Sequence, residues 1–307
     1  MTNEQFLRNL QVPGRRVDVV LDTDMYNEID DQFAAAYLLH MPQRAHICGF
    51  TAAPFLNARS TSPADGMEKS LGEIRKILTL AGREDLLDRT FRGSDRFLPD
   101  EDTPEPSDAA DFLAQQALSH TADDPLYIVA IGAVTNVASA FLLHPRMKES
   151  AVVVWLGGHA RWWVDTREFN MMQDVAAARV IFGCGVPLVQ VPCIGVADRF
   201  LTTRYELEHW LGGKNALCDY LVHNTVGEAE RYAAERPWSR VIWDVTAVAW
   251  LVNDGERFLH TRLTPAPIPE YDNRYADAPE RHLMRTADWV NRDALFADLV
   301  RRLTENG

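Results

Sequence analysis

The chain has 307 residues, 47% of them hydrophobic, which is enough for either two domains or one large α/β domain. It contains 31 Lys and Arg residues against 44 Asp and Glu residues, so its formal net charge is −13. Nucleic-acid binding requires a basic surface, and we therefore expect no nucleic-acid partner for this acidic chain.

The distribution of apolar residues and cysteines indicates the compartment. The N-terminal segment lacks the apolar stretch of a secretory signal, and no apolar run approaches the ~20 residues that cross a bilayer. The four cysteines are scattered and form no Cys-x-x-Cys pair, as is typical of free thiols in a reducing environment. We expect a cytoplasmic protein with no membrane partner.

The order of apolar and helix-forming segments predicts the fold class. Short apolar runs without alternation predict buried parallel strands at Val17–Leu21, His46–Ala53, Leu126–Gly132, Ala151–Gly158 and Pro187–Cys193. Helices are predicted at Asp31–His40, Ala64–Ala81, Ser107–His120, Asn136–Leu143, Asp174–Phe182, Asn215–Arg236, Val245–Val252 and Asn291–Thr304. Loops are predicted at Pro99–Pro106 and Thr264–Pro279. This alternation predicts a single α/β domain over residues 1–307, with a mostly parallel, doubly wound sheet and helices on both faces.

A cluster of carboxylates follows the first predicted strand. Asp22, Asp24, Asp30 and Asp31 lie within ten positions, and an apolar helical segment begins directly after them. Carboxylates crowded at the end of a buried strand repel one another unless a cation neutralises them, and a hard cation prefers such oxygen ligands. The pattern therefore predicts a metal site in this loop.

Polar side chains also follow the later strands, at the edge where ligands bind in open α/β sheets. Asn57 follows the second strand, Thr135 and Asn136 follow the third, and His159 and the segment Glu168–Asn170 follow the fourth. The Thr135-Asn136 pair also fits a helix N-cap. If the sheet is as predicted, these groups converge on one rim with the aspartates.

Two other loop patterns begin as this one does. An EF-hand loop needs Gly at its sixth position and Glu at its twelfth, where this chain has Asn27 and Phe33, so that pattern is excluded. A haloacid-dehalogenase-type phosphatase also opens with Asp-x-Asp after a strand, and Asp22 would be its nucleophile. That pattern usually has Thr or Val where Tyr26 stands, and it remains the runner-up.

The aspartate loop and several later segments resemble the nucleoside hydrolase family of the inosine–uridine-preferring type. That family's signature reads roughly DxDPGxDDAxAL. This chain has Asp22-Thr-Asp24 and Asp30-Asp31, with a loop two residues longer and without the Pro-Gly turn. Further similar segments follow in the family's order, namely Val129–Ala138 (VAIGAVTNVA), Val152–Gly158 (VVVWLGG), Glu168–Asn170 (EFN) and Trp243–Asp244.

The resemblance implies calcium-dependent hydrolysis of the N-glycosidic bond of a ribonucleoside or related riboside, on a nucleoside hydrolase-like fold. It implies that Asp24, Asp31, Asp244 and the backbone carbonyl of Ile131 hold the ion. Water and two ribose hydroxyls would complete the coordination. Asp24 would also be the general base that activates the attacking water.

The resemblance also implies contacts to the sugar. Asp30, Asn57 and Asn170 would bind the ribose hydroxyls, Glu168 would orient the sugar, and Asp22 would support the loop. The implied partner is a small-molecule riboside, and the family resemblance implies a homo-oligomer, either a dimer or a tetramer.

One departure from the family lies on the side of the departing base. Trp243 stands where many members carry a His that protonates the base, and an indole does not titrate usefully. Trp243 could instead stack on an aromatic base or shape the pocket. His159 and His223 are the candidate replacement acids, although a lone His is more often structural. The departure favours a second hypothesis, a ribose- or nucleoside-binding protein with weak or no hydrolase activity.

Overall fold

The computed structural model describes residues 1–305. Within this range the strands are β1 (Val17–Thr23), β2 (Ala45–Ala52), β3 (Thr90–Phe91), β4 (Leu126–Ala130), β5 (Ala151–Leu156), β6 (Leu188–Val191), β7 (Leu201–Thr202), β8 (Arg240–Val241), β9 (Leu259–Pro265), β10 (Ile268–Pro269), β11 (Tyr275–Ala276) and β12 (Leu283–Val290).

The α-helices are α1 (Asn3–Asn9), α2 (Asp30–Leu39), α3 (Pro63–Leu80), α4 (Asp108–Leu118), α5 (Thr135–Leu143), α6 (Phe169–Gln173), α7 (Val175–Gly183), α8 (Arg204–Trp210), α9 (Ala216–Ala233), α10 (Val245–Ala249) and α11 (Arg292–Thr304). Short 3₁₀ helices lie at Glu84–Arg89, Pro145–Glu149, Ala197–Arg199, Trp250–Val252 and Asp254–Glu256. No helix within residues 1–305 is long and apolar enough to cross a membrane.

Eight of the strands described form one sheet, in the order β3-β2-β1-β4-β5-β6-β12-β9. Neighbouring strands are parallel except for the edge pair β12–β9, which is antiparallel. Helices cover both faces, and an apolar cluster lies on each side of the sheet. The predicted mostly parallel, doubly wound sheet is therefore confirmed. The chain winds outward from β1 in one direction and from β4 in the other, so the strand order reverses between these two strands.

The major helices begin at polar residues that cap them. The side chains of these residues each accept a hydrogen bond from the backbone N–H three positions later, at Ser62, Ser107, Asp174, Asn215 and Asn291. Such a side chain satisfies one of the N–H groups that a helix leaves free at its start. Because this signal is local in sequence, the predicted starts of these helices agree with the structure within one or two residues.

The second predicted loop, Thr264–Pro279, was wrong. It contains the end of β9 and the antiparallel pair β10–β11, and the long strand β12 follows it. β9 is an edge strand with several exposed residues, so it lacks the continuous apolar run that revealed the parallel strands. Edge strands also tolerate proline, which made this segment look like a loop in sequence.

Helix α2 shows how the aspartate loop is anchored. All ten of its residues are buried, because it packs against α10 and also contacts α3, α9 and α11. Its first turn carries Asp30 and Asp31, which lie at the positive end of the helix dipole. A helix buried on every side is fixed in place, so it holds these two carboxylates in a defined position at the end of β1.

A buried carboxylate also ties α2 to the C-terminal helix. Asp298 on α11 accepts hydrogen bonds from the Tyr37 hydroxyl (2.5 Å), Arg302 Nε (2.6 Å), and the Nη2 atoms of Arg257 and Arg301 (2.8 Å each). Burial opposes ionisation, but the hydrogen bonds from Tyr37, Arg301 and Arg302 outweigh it and lower the pKa of Asp298 to about 2. Asp298 therefore remains charged in the folded protein.

We expect Asp298→Asn to lower the free energy of unfolding by about 2–3 kcal/mol at pH 7, because three guanidinium groups lose their common partner. The control is Asp293→Asn in the same helix, whose side chain is 90% exposed and which should change stability by less than about 0.5 kcal/mol. Because the pKa of Asp298 is lowered in the folded state, its stabilisation is complete above about pH 4 and is lost as the pH falls through about 2. Urea unfolding at pH 7 and pH 3 measures both effects, and equal losses in the two variants would contradict the assignment.

Candidate metal centre and ligand cavity

The carboxyl ends of β1, β4, β5 and β6 surround a cavity of about 220 Å³. A single water needs only ~10–15 Å³ by the same measure, so the cavity has room for an organic ligand. It lies where the strand order reverses between β1 and β4, the place where open α/β sheets bind ligands. Its lining includes Asp24, Asn27, Glu28, Asp30, Asp31, Ile131, His159, Arg167, Glu168, Asn170, Cys193, Trp243 and Asp244.

Asp24 directly follows β1 and its carboxylate has no partner. Both of its oxygens are buried, and neither has a hydrogen bond among the described residues. Burial, and then repulsion from Asp31 and Asp30, raises the pKa of Asp24 well above its usual range. A Cβ at Gly132 would lie 3.1 Å from Asp24 Oδ1, so the absence of a side chain there leaves room for this carboxylate. An unpaired buried carboxylate is costly, which indicates that a bound group completes the site.

Three further carboxylates lie together beside Asp24. One oxygen from each of Asp30, Asp31 and Asp244 lies within 4.8 Å of the others, and all three side chains are buried. Burial, followed by repulsion from Glu28, raises the pKa of Asp30 to about 7. Burial and the neighbouring carboxylates also raise the pKa values of Asp31 and Asp244 well above their usual range. Four crowded carboxyl groups, of which Asp24 has both oxygens unpartnered among the described residues, fit a divalent cation that prefers oxygen ligands.

The fold positions these carboxylates on separate elements. Asp31 Oδ1 accepts a hydrogen bond from the Thr23 hydroxyl at the end of β1 (2.5 Å), and Asp244 precedes the first turn of α10. Ile131 follows β4, and its backbone carbonyl accepts a hydrogen bond from Asn170 Nδ2 (3.1 Å). A carbonyl oxygen has a second lone pair, so this hydrogen bond leaves it able to face a cation.

Asp22 lies behind the cavity and does not line it. Its Oδ1 accepts hydrogen bonds from the Thr51 hydroxyl (2.6 Å) and from Asn136 Nδ2 (2.8 Å), and burial raises its pKa to about 6.

The predicted N-cap role of Thr135-Asn136 was wrong, because α5 begins at Thr135 and Val134 occupies the cap position. Asn136 instead links Asp22 to the end of β2, because its Nδ2 also donates a hydrogen bond to the Ala52 carbonyl (3.0 Å).

Glu168 and Asn170 also line the cavity. The Glu168 carboxylate caps α6 and accepts hydrogen bonds from the backbone N–H groups of Gly158 (2.8 Å), Asn170 (2.8 Å) and Met171 (2.9 Å). Burial raises the pKa of Glu168, while these three donors oppose the rise. Asn170 Nδ2 also bonds the Leu156 carbonyl (3.0 Å), so both side chains are held rigidly at the rim.

The remaining predicted residues differ in position. Trp243 lines the cavity next to Asp244, and His159 lines it at the end of β5. The ring atom Nδ1 of His159 accepts a hydrogen bond from the Ile194 N–H (3.2 Å), so the neutral ring carries its proton on Nε2. Burial lowers the pKa of His159, which favours the neutral ring. His223 is exposed on α9 and lies outside the cavity lining.

Asn57 does not line the cavity either. Its Nδ2 atom donates a hydrogen bond to Asn27 Oδ1 (2.6 Å), and it is Asn27 that faces the cavity. Neither Asn27 nor Glu28 was predicted as a site residue, although both belong to the loop that is two residues longer than the family signature. Glu28 pairs with Arg240 (2.6 Å) beside Asp30, so the longer loop adds an ion pair at the mouth of the cavity.

Two other lining residues were missed, Cys193 and Arg167. Cys193 stands at the end of the fifth predicted strand, and the strand-end rule used for the other residues would have found it. Arg167 directly precedes Glu168, but its charge is balanced by Asp165 (2.6 Å). Nothing in the sequence pattern distinguishes this arginine from a surface residue.

Comparison with known proteins is consistent with this geometry. The sequence model of the inosine-uridine preferring nucleoside hydrolase family matches residues 19–290. The site and the doubly wound sheet therefore define a nucleoside hydrolase-type protein. The chain belongs to the inosine-uridine preferring nucleoside hydrolase family, and the match leaves no support for the phosphatase runner-up.

Individual relatives are more distant. The chain is 30% identical over 162 residues to the pyrimidine-specific ribonucleoside hydrolase RihA of Citrobacter koseri, covering 45% of this chain and 52% of that protein. It is 26% identical over 234 residues to the probable uridine nucleosidase 2 of Arabidopsis thaliana, covering 68% of each. The matched region thus spans about half the length of the RihA relative.

Solved structures show the same fold. A plant nucleoside hydrolase, PpNRh1, superimposes with a TM-score of 0.73 at 20% identity, over 96% of this chain and 100% of that one. The purine-preferring ribonucleoside hydrolase from Gardnerella vaginalis gives a TM-score of 0.74 at 19% identity, over 94% and 98% of the two chains. At these identities the likeness concerns the fold alone.

The carboxylate cluster predicts a stability that depends on both metal and pH. The pKa values of Asp22 and Asp30 are raised to about 6 and about 7 in the folded state. As the pH falls, the metal-free folded protein therefore takes up protons at a higher pH than the unfolded chain does. Its free energy of unfolding should therefore rise as the pH falls from about 7 toward 5. Urea unfolding in EDTA across this range measures the effect, and excess calcium should weaken the dependence.

Asp31→Asn tests the repulsion directly, because an Asn at position 31 keeps an oxygen that can accept the Thr23 hydrogen bond. In EDTA at pH 7 this variant should be more stable than the native protein, since one repelling charge is removed. In excess calcium it should be less stable, since a ligand is lost. If the substitution changed the free energy of unfolding in the same direction in EDTA and in calcium, this result would contradict a cation site at these carboxylates.

Proposed function

We propose that this chain hydrolyses the N-glycosidic bond of a ribonucleoside or related riboside, with calcium bound at the carboxylates. The observation that carries the proposal is Asp24, whose two buried, unpartnered oxygens face a cavity that also contains Asp31 and Asp244. The names of its relatives, which are ribonucleoside hydrolases and a probable uridine nucleosidase, support the same reaction.

The residues proposed to hold calcium are Asp24, Asp31, Asp244 and the carbonyl of Ile131. Calcium takes 6–8 oxygen ligands, so these four leave positions for water and for sugar hydroxyls. When bound, the ion would make its water easier to deprotonate and would bind vicinal hydroxyls of the ribose. The oxygen-only donor set supports calcium over metals that prefer nitrogen or sulfur ligands.

Asp24 is the proposed general base. It would accept a proton from the water that attacks the anomeric carbon, as the bond to the base breaks through a transition state with oxocarbenium character. A bound cation would oppose the rise that burial causes in the pKa of Asp24, and would so keep this carboxylate ionised and able to accept the proton. Asp30, Asn170 and Glu168 would bind and orient the ribose hydroxyls from both sides of the cavity.

Asn57 would act indirectly, since its side chain positions Asn27 through a hydrogen bond (2.6 Å). Asn27 is then the amide that can reach the sugar. The oligomeric state implied by the resemblance, a dimer or a tetramer, stays a prediction that sedimentation analysis can test.

The residues near the expected position of the leaving base suggest a second candidate function. Trp243 can stack on an aromatic base but cannot protonate it, and the neutral, backbone-bonded His159 is a poor acid. A riboside-binding protein with weak or no hydrolase activity is therefore the alternative. Calorimetric binding of ribose, with no reducing sugar released from a broad panel of ribosides, would favour it over the hydrolase.

Asp24→Asn should reduce hydrolysis by about 10²–10⁴-fold, because the general base is removed while the shape of the side chain is kept. Release of reducing sugar measures turnover, and far-ultraviolet circular dichroism checks that the variant is folded. The control Asp293→Asn changes an exposed carboxylate and should retain full turnover. Undiminished turnover in the folded Asp24→Asn variant would contradict the proposed role of Asp24 as general base.

Trp243→His should raise the turnover of inosine or uridine by about 10-fold or more, because an imidazole can donate the proton that the departing base needs. The matched control is Trp243→Phe, which keeps an aromatic ring without a titratable group and should give no such gain. A riboside with a p-nitrophenolate leaving group needs no proton, so its turnover should not rise in Trp243→His. Equal gains for both kinds of substrate would show that position 243 does not act on the leaving base.

A further inference from the structure

A second cluster of metal-binding side chains lies at the opposite end of the sheet. Asp18 on β1 and His46 on β2 are register partners on adjacent parallel strands, and His46 Nδ1 lies 2.8 Å from Asp18 Oδ1. Six residues separate Asp18 from Asp24 along the chain, which at ~3.3 Å per residue places the two clusters roughly 20 Å apart. The second cluster is therefore independent of the cavity.

A bulge in β2 adds a thiol to this cluster. Val19 pairs with Ile47 but Val20 pairs with Gly49, so Cys48 is an extra residue without a partner on β1. Bulges are local irregularities that can re-aim a side chain. The buried Cys48 Sγ lies 3.9 Å from His46 Nδ1. One ligand atom from each of Asp18, His46 and Cys48 lies within 4.8 Å of the others.

His120 holds the other oxygen of Asp18. Its Nδ1 lies 2.8 Å from the Gln116 carbonyl. Its other nitrogen, Nε2, lies 3.1 Å from Asp18 Oδ2. His120 therefore ties Asp18 to the end of α4 and leaves Asp18 Oδ1 on the side of His46.

We propose that Asp18, His46 and Cys48 bind one zinc ion, and that His120 holds Asp18 in position for it. Zinc prefers a tetrahedral set of imidazole, thiolate and carboxylate ligands at ~2.0–2.3 Å, which corresponds to ligand separations of roughly 3.3–3.8 Å. The observed separations of 2.8 Å between His46 Nδ1 and Asp18 Oδ1 and 3.9 Å between His46 Nδ1 and Cys48 Sγ lie close to this range. Three protein ligands leave the fourth position to water, and the bound ion would join β1 to the bulged part of β2.

Cobalt(II) is the probe for this site, because a tetrahedral cobalt–thiolate centre absorbs in the near ultraviolet and visible ranges while an all-oxygen site does not. In excess calcium, the native protein should bind one Co²⁺ per chain with thiolate charge-transfer absorption, and Zn²⁺ should displace it. Cys48→Ser should abolish the absorption. The matched control is Cys193→Ser, which removes the thiol at the cavity and should leave the absorption unchanged.

His120→Gln gives an independent test that does not alter the buried strand. It should weaken Co²⁺ and Zn²⁺ binding by about 10-fold or more, because Asp18 loses the partner that orients it, and the Tm increase that Zn²⁺ gives the native protein should become smaller. Absence of thiolate absorption in the native protein would overturn the proposal and would leave an ion-pair cluster of Asp18 with two histidines. Absorption that is lost in Cys193→Ser but retained in Cys48→Ser would equally overturn it.

Discussion

Mutual repulsion among buried carboxylates is the constraint on which the site depends. Asp24, Asp30, Asp31 and Asp244 come from three separate elements, and each has its pKa raised by burial and by its neighbours. Water cannot screen these charges, so the fold must hold them together against their repulsion until a cation or protons neutralise them. The buried helix α2, which packs against α10, supplies this rigidity. The protein thus contains a locally destabilising cluster that the surrounding core supports.

The position of β1 explains why both ends of one strand carry polar clusters. β1 lies inside the sheet, next to the point where the strand order reverses, so its carboxyl end opens into the cavity. Asp22 and Asp24 lie at that end, while Asp18 lies at the other end of β1, beside the bulged part of β2. Between them, Val19, Val20 and Leu21 are fully buried and hold the strand in the core. One short segment therefore links the proposed catalytic site to the proposed zinc site.

The positions of the predicted site residues separate into two groups. Residues placed directly at strand or helix ends, such as Asp24 and Glu168, line the cavity because the topology brings those ends to one rim. Asn57 and His223 lie farther from the ends of their elements, in a loop and along a helix face. Their orientation depends on packing, and the structure places both outside the cavity lining. Asn136 was interpreted as a cap, whereas its partners Asp22 and Ala52 are distant in sequence.

The sequence by itself determined the strand–helix alternation, the helix starts, the acidic loop after β1 and the family. These features follow from local periodicity, capping residues and a short motif, which do not depend on distant contacts. Only the tertiary structure decided that Asn27 rather than Asn57 lines the cavity, that Glu28 pairs with Arg240, and that β9 and β12 extend the sheet. It also brought His120 to Asp18, 102 positions apart in the chain. Such contacts arise when long chain segments pack against one another, and no local pattern encodes them.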